Sequence, residues 1–187
     1  MIVGVAGPNA AGKGEVIRLL AEQGYSAFSL SDVIRETVRQ DGQEETRERM
    51  IETGTALRQA GGDGVLAERV LGWLTPGQDY AIDSIRHPAE VAVLKDKAPG
   101  FLLLWVDAPI ALRFARLRAR GRSGDPLTLA RLQELEAREL ASPQSSGQQL
   151  LAVKKLADRF LDNHGDLPSL ESQLAQSLEA AGSGSLK

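Results

Sequence analysis

Residues 2–20 bring three signals together without a gap. Ile2-Val3-Gly4-Val5-Ala6 is a short, β-branched apolar run and reads as a strand. Gly7-Pro8-Asn9-Ala10-Ala11-Gly12-Lys13-Gly14 follows at once, and Glu15-Val16-Ile17-Arg18-Leu19-Leu20 opens a helical pattern. The loop spells G-x-x-x-x-G-K, the phosphate-loop (Walker A) pattern, and it lies between a strand and a helix, the context that pattern requires. Glycines let successive backbone N–H groups turn toward one anion. The helix N-terminus adds unsatisfied donors and the positive end of its dipole. Lys13 adds a mobile charge for the outer phosphates of a nucleotide. Gly7, Pro8, Asn9, Ala10, Ala11, Gly12, Lys13, Gly14 and Glu15 are therefore the candidate nucleotide-binding residues, and Lys13 is also a candidate catalytic residue. The alternative is an ordinary strand-to-helix turn with a surface lysine. One departure stands out: Gly14 and Glu15 follow the lysine, so neither position offers a hydroxyl to Mg²⁺.

The rest of the chain alternates strand and helix signals. A helix is expected at 12–22, with Gly24 as its C-cap, and a second strand at 26–30. Ser31 reads as the N-cap of a helix at 32–39, and further helices are expected at 46–58 and from an Asp63 cap to Leu74. Tyr80-Ala81-Ile82-Asp83 is a third strand that ends in an acid, and a short helix follows at 89–96. Phe101-Leu102-Leu103-Leu104-Trp105-Val106 is a continuous apolar run, as expected of a strand buried on both faces of a parallel sheet. Pro109 opens a helix that reaches Arg120, and residues 121–126 form a polar, glycine-containing loop. Helices at 127–140 and 148–157, a last strand at 159–163 and an amphipathic helix at 168–181 complete the pattern. Trp73 and Trp105 read as core, and His87 and His164 have no metal-ligand neighbours at useful spacing. The alternation predicts an α/β fold: a five-stranded parallel sheet with helices on both faces.

Composition excludes several classes of function. With 187 residues, a single domain at 1–181 is expected, and Gly182-Ser183-Gly184-Ser185 reads as the start of a disordered tail at 182–187. A net charge of −3 argues against a protein that grips long nucleic acid, for which a strongly basic face is needed. There is no cysteine, which removes thiolate and zinc–thiolate chemistry. No apolar stretch approaches membrane-spanning length, and the first apolar run lacks the basic lead of a signal peptide. A cytoplasmic protein, monomer or homodimer, is the expectation.

Ligands of parallel sheets bind beyond the carboxyl ends of the strands, so polar residues there are candidates. Asp83 stands where an acid could orient Mg²⁺ through water, or could simply cap a turn. Asp107 occupies a similar position, but the Ala108-Pro109 that follows reads as a helix cap. Asp32 with Arg35, and Arg86, follow the second and third strands, and two guanidinium forks could clamp a monophosphate between them. The alternative is surface ion pairing, of Arg35 with Asp32 or of Arg86 with Glu90. Arg113, Arg116 and Arg120 share one helical face, with Arg118 and Arg122 nearby, and lead into a glycine-containing loop that could close over phosphates. Here the alternative is a solvated face paired with Glu134 or Glu136.

On these residues the chain resembles the P-loop nucleoside monophosphate kinase superfamily. The loop ending Gly12-Lys13-Gly14 is similar to that of adenylate kinases. Ser31-Asp32-Val33-Ile34-Arg35 and Asp83-Ser84-Ile85-Arg86 look like the segments whose arginines hold the acceptor phosphate, and Arg116 with Arg120 looks like the lid pair. Val106-Asp107-Ala108-Pro109 and the tail of Ala157-Asp158 and Asn163-His164-Gly165 are similar to segments of dephospho-coenzyme A kinases, where that tail lies near the nucleotide base. Over residues 1–175, including Gly-Arg-Ser-Gly-Asp-Pro at 121–126, the chain most resembles a family of uncharacterised kinase-like proteins, mainly archaeal.

The resemblance implies a three-layer P-loop fold, a helical acceptor-binding region at 31–74 and a small mobile lid at 116–147. It implies ATP and Mg²⁺ as cofactors and transfer of the γ-phosphate to a small phosphorylated acceptor. Lys13, Arg86, Arg116, Arg120 and Asp32 would be catalytic, with Asp32 a base if the acceptor is a hydroxyl. Asp32, Arg35 and Arg86 would bind the acceptor, Asp83 the metal, and Asn163 and Gly165 the nucleotide. A nucleoside monophosphate is the first acceptor expected. Dephospho-coenzyme A, and a nucleotide-binding regulator that transfers nothing, remain open beside it.

Overall fold

The strand and helix signals resolve into one sheet with its helices. The computed structural model describes residues 1–121, 126, 128–141 and 149–182. Among these residues the strands are β1 (Ile2–Ala6), β2 (Ser26–Ser29), β3 (Tyr80–Asp83), β4 (Leu102–Asp107) and β5 (Arg159–Asp162). The helices are α1 (Lys13–Glu22), α2 (Leu30–Gln40), α3 (Arg47–Gly61), α4 (Val65–Leu71), α5 (Pro88–Lys97), α6 (Ile110–Arg120), α7 (Leu129–Ala141), α8 (Leu150–Lys155) and α9 (Leu167–Gly182). All strand pairs are parallel, in the order β2-β3-β1-β4-β5. β1 is thus central: Gly4 stands between Ile82 of β3 and Leu103 of β4. The loop leaving β1 emerges between the carboxyl ends of its two neighbours, the position where such sheets take their ligands.

Each face of the sheet carries its own core, which makes the expected three layers. On one face Val3, Val5, Leu102, Leu104 and Val106 pack with Val16 and Leu20 of α1 and Leu170 and Leu174 of α9. On the other, Ile82, Leu103 and Trp105 pack with Leu30, Val33 and Ile34 of α2, Leu66 and Val70 of α4, Leu94 of α5 and Val153 of α8. β4 alternates between the two cores, which explains why its sequence is apolar from Leu102 to Val106. Each fully buried leucine here contributes about 1.5–3 kcal/mol.

Four local readings change. Ser29, not Ser31, caps α2: its hydroxyl accepts the Ser31 N–H (3.3 Å) while its own N–H donates to Asp32 (2.8 Å). The helix therefore starts at Leu30. Asp63 does not cap α4, which follows Gly64 with no side-chain cap. His87 does have a role, since its Nδ1 accepts the Ala89 N–H (3.2 Å) and caps α5. Trp73 is not core: it is 42% exposed and leans its ring on Phe28, 6.3 Å away. β2 is an edge strand, and α4 ends before Trp73, so the outer side of the indole is left open among the described residues. Of the expected lid and tail, residues 122–125, 127, 142–148 and 183–187 lie outside the described residues, Arg122 among them.

Candidate active site

The loop between β1 and α1 is held by its carbonyl groups. Arg113 donates to Asn9 O (3.3 Å), and Arg116 to Ala10 O (3.4 Å) and Ala11 O (3.3 Å). Asn163 Nδ2 donates to Ala11 O (2.9 Å). Arg116 also reaches Asn163 O (2.9 Å), and the Asn163 N–H extends the β4–β5 ladder to Asp107 O (2.8 Å). Three consecutive loop carbonyls are thereby committed to α6 and to the end of β5. The N–H groups of Asn9, Ala10, Gly12 and Gly14 have no partner among the described residues, which is what an anion nest needs. Lys13 Nζ lies across the loop, donating to Gly7 O and Pro8 O at 2.9 Å each. The conformation depends on glycine. Gly7 has φ +146° and its Cα passes over the Val106 carbonyl, while Gly12 has φ +104° and packs against the Asn163 amide. A Cβ at either residue would overlap its neighbour.

Glu15 does not replace the missing hydroxyl. Its carboxylate pairs with Arg18 (2.6 Å) on the exposed side of α1, and its N–H bonds Gly12 O (2.9 Å). Asp83 is better placed. It ends β3, directly beside β1, and its Oδ1 accepts the Ser84 hydroxyl (2.6 Å), which in turn accepts from the Ser29 hydroxyl (2.8 Å). Its Oδ2 has no hydrogen-bond partner among the described residues. There is no group of three or more His, Cys, Asp or Glu side chains that could cage a metal among those residues. One open carboxylate at a phosphate loop fits a divalent cation held largely by water and nucleotide phosphates, the usual state of Mg²⁺.

Asp107, the other strand-end acid, is committed to structure. It accepts from Lys154 (3.0 Å), Trp105 Nε1 (3.2 Å) and the Ala108 N–H (2.9 Å). Burial pushes its pKa up, but the hydrogen bonds from Lys154 and Trp105, the Lys154 charge and the Ala108 N–H outweigh burial and hold the carboxyl below the ordinary range. A depressed carboxylate stabilises the fold above its unfolded pKa, and that stabilisation is lost as pH falls through the folded value. The Asp107–Lys154 pair thus supports the β4 end at neutral pH and not in acid.

Beyond the second strand, Arg35 is paired as the simpler reading has it. It bonds Asp32 (2.6 Å) and lies 3.8 Å from Glu45. Asp32, Arg35, Arg39 and Trp73 line an open cleft of about 340 Å³. Arg86 behaves differently. Its side chain is exposed and forms no ion pair among the described residues, and Glu90 bonds its backbone N–H (2.8 Å) rather than its guanidinium. The α6 arginines also divide. Arg113 is buried at 6% exposure and paired with Glu136 of α7, so it is not a solvated lid arginine. Arg116 braces the loop, and Arg118 and Arg120 are exposed in the last turn. Gly165 lies in the exposed turn after β5.

Sequence reading offers Glu90 only as a surface partner for Arg86 and passes over Arg58. Glu90 is fully buried and accepts from Arg86 N–H, His87 N–H (3.0 Å) and Arg58 (3.2 Å). A cap followed by Pro88 and a glutamate three residues on is a helix-start signature, and it could have flagged this residue.

No family model matches the chain. A protein of Thermococcus kodakarensis described as a UPF0200 protein is 31% identical over 180 residues, covering 93% of this chain and 94% of that one. Among solved structures, TT1252 from Thermus thermophilus superposes with a TM-score of 0.61 at 21% identity, over 96% of each chain. Shikimate kinase from Acinetobacter baumannii, in complex with shikimate, gives 0.61 at 16% identity, over 100% of this chain and 95% of that one. No helix among the described residues is long and apolar enough to cross a membrane. The fold is thus that of the P-loop kinases, and at this level of identity over nearly its whole length the chain belongs to the UPF0200 protein family.

Proposed function

We propose that the protein is an ATP-dependent phosphotransferase that moves the γ-phosphate of ATP to a small phosphorylated acceptor, a nucleoside monophosphate. The observation that carries this reading is the pairing of two anion sites. One is a phosphate loop with its carbonyls braced and its N–H groups unspent. The other is the exposed guanidinium of Arg86, three residues beyond Asp83 on the neighbouring strand. The ATP phosphates bind the 7–15 loop, with Lys13 leaving the Gly7 and Pro8 carbonyls for them, while Asn163 holds the loop at Ala11 and Gly165 lies toward the base. Arg35 and Arg86 hold the acceptor phosphate, and Arg35 must first give up Asp32. Arg116 holds the loop at Ala10 and Ala11 beside the phosphates, and Arg120 neutralises charge on the transferred group. Mg²⁺, oriented by Asp83, supplies charge neutralisation on the β- and γ-phosphates when bound. An acceptor oxygen forms the new bond to the γ-phosphorus while the bridge to ADP breaks and the electron pair leaves on ADP. Positioning and electrostatics do most of this work.

The state of Asp32 favours a phosphate acceptor over a hydroxyl. A hydroxyl, as in dephospho-coenzyme A, must lose a proton, and Asp32 is the natural base. Its Oδ2 is held by the Ser29 N–H in the cap of α2, so the carboxylate is fixed to the helix start and only Oδ1 is released when Arg35 turns to the acceptor. A phosphate oxygen arrives already ionised and needs no base. The test is a panel of AMP, GMP, CMP, UMP, dephospho-coenzyme A and shikimate with γ-labelled ATP. Labelled nucleoside diphosphate is the expected product. Label in the coenzyme alone would shift the acceptor class, and nucleotide binding with no transfer to any acceptor would overturn the enzyme reading in favour of a regulator.

A further inference from the structure

Arg86 combines an exposed side chain, without an ion pair among the described residues, with a main chain fixed on both sides. Its N–H donates to Glu90 Oε2 (2.8 Å), and its C=O accepts from the Gln149 N–H (2.8 Å), so α5 and the start of α8 hold the same peptide segment. An exposed arginine normally gains little from such anchoring. A guanidinium that must meet an anion at a set position gains a great deal, because fewer degrees of freedom are lost on binding.

The anchor has a cost that needs its own account. Glu90 is 0% exposed, and a buried carboxylate is tolerated only when it is paired and hydrogen-bonded. Its Oε2 takes the Arg86 and His87 N–H groups, and its Oε1 takes Arg58, a side chain only 18% exposed on α3. An apolar residue at 90 would leave two backbone N–H groups unsatisfied, and a neutral one would leave Arg58 without its counter-charge. His87 is also unfinished. Its Nδ1 caps α5, which leaves a proton on Nε2, and that buried nitrogen has no hydrogen-bond partner among the described residues. Asp63 Oδ2, from the turn between α3 and α4, stands 3.7 Å away. The charged and titratable groups gathered here are thus Arg58 and Asp63 from the α3–α4 side and His87 and Glu90 from the α5 side.

We infer that Glu90 and Arg58 are positioning residues for the acceptor phosphate. They join α3, in the acceptor-binding region, to the backbone of Arg86, so that the anion-binding guanidinium and the α2–α4 helices keep a fixed relation. The inference rests on the acceptor role given to Arg86 above. Neither residue touches the ligand, and each acts through the Arg86 peptide.

The experiment uses the full chain, with AMP and MgADP titrated separately by calorimetry and amide hydrogen exchange followed at residues 86 and 87. Glu90→Gln keeps the volume and removes the charge. It is expected to weaken AMP binding by about 10-fold, the equivalent of one lost buried hydrogen bond, and to leave MgADP binding within about two-fold. Exchange at the Arg86 and His87 amides should accelerate. In an Arg86→Ala background the same substitution should add little further loss of AMP affinity, because both act through one group. Full additivity with Arg86→Ala, equal weakening of AMP and MgADP, or unchanged exchange would overturn the inference while leaving the acceptor reading intact. If Arg86→Ala alone leaves AMP binding unaltered, the acceptor reading falls and the inference with it. Arg58→Lys, which keeps a cation beside the buried carboxylate, carries the same test if Glu90→Gln does not fold.

Discussion

Gly7→Ala is expected to destabilise the protein by about 3 kcal/mol or more and to abolish nucleotide binding in whatever fraction stays folded. Two effects add. A φ of +146° is open to glycine and strained for any residue with a Cβ. The new methyl group would also overlap the carbonyl oxygen of Val106, which is backbone inside the sheet and cannot rotate away. The loop must therefore lift off β4, and the lift pulls Asn9, Ala10 and Ala11 from Arg113, Arg116 and Asn163. Urea unfolding followed by circular dichroism measures the first effect, and calorimetric titration with MgADP the second. A midpoint like that of the unaltered protein would show that the loop does not need its close approach to β4. Gly12→Ala meets a milder obstacle, since the Asn163 amide is a side chain that can be displaced at the cost of its bond to Ala11.

Lys13→Ala is expected to reduce phosphoryl transfer by about 10³-fold or more while changing stability by less than about 1 kcal/mol. Its ammonium makes hydrogen bonds to the carbonyls of Gly7 and Pro8 within its own part-buried loop, and when the side chain is truncated water takes over both carbonyls, which keeps the net loss small. In the transition state the same charge faces developing negative charge on the outer phosphates, where water is excluded and no other residue of the loop carries a positive charge. Steady-state rates with the best acceptor of the panel, set beside melting curves, separate the two effects. Equal losses of rate and stability would make Lys13 a structural residue of the loop.

The parts of this molecule legible in its sequence are those set by neighbours along the chain. The strand–loop–helix start is local, and so is the apolar run of β4, whose side chains alternate between two cores. The strand-end positions of Asp83 and Arg86 followed from the same local patterns. What stayed hidden depends on contacts that local spacing does not encode. Pairing of the arginine face with Glu136 is one reading of the sequence, but as a solvated pair; that Arg113 and Glu136 are buried together shows only in the fold. Trp73 looks like core by residue type, but it lies beside an edge strand with no further strand to cover it. Asn163 reads from family likeness as a neighbour of the nucleotide base; in the fold its side chain amide holds the phosphate loop. Glu90 carries a helix-start signature in the sequence, but its complete burial and its hold on Arg58 appear only in the fold.

A crystal structure with ADP and AMP bound together tests the central claim most directly, because the claim concerns two phosphate sites facing each other. The account predicts the β-phosphate of ADP on the backbone N–H groups of residues 9–15, with Lys13 Nζ moved from the Gly7 and Pro8 carbonyls to the phosphate. It predicts the AMP phosphate between Arg35 and Arg86, with the Arg35–Asp32 pair opened. An AMP phosphate bound away from Arg86, or a Lys13 that keeps its loop contacts with ADP in place, would contradict it.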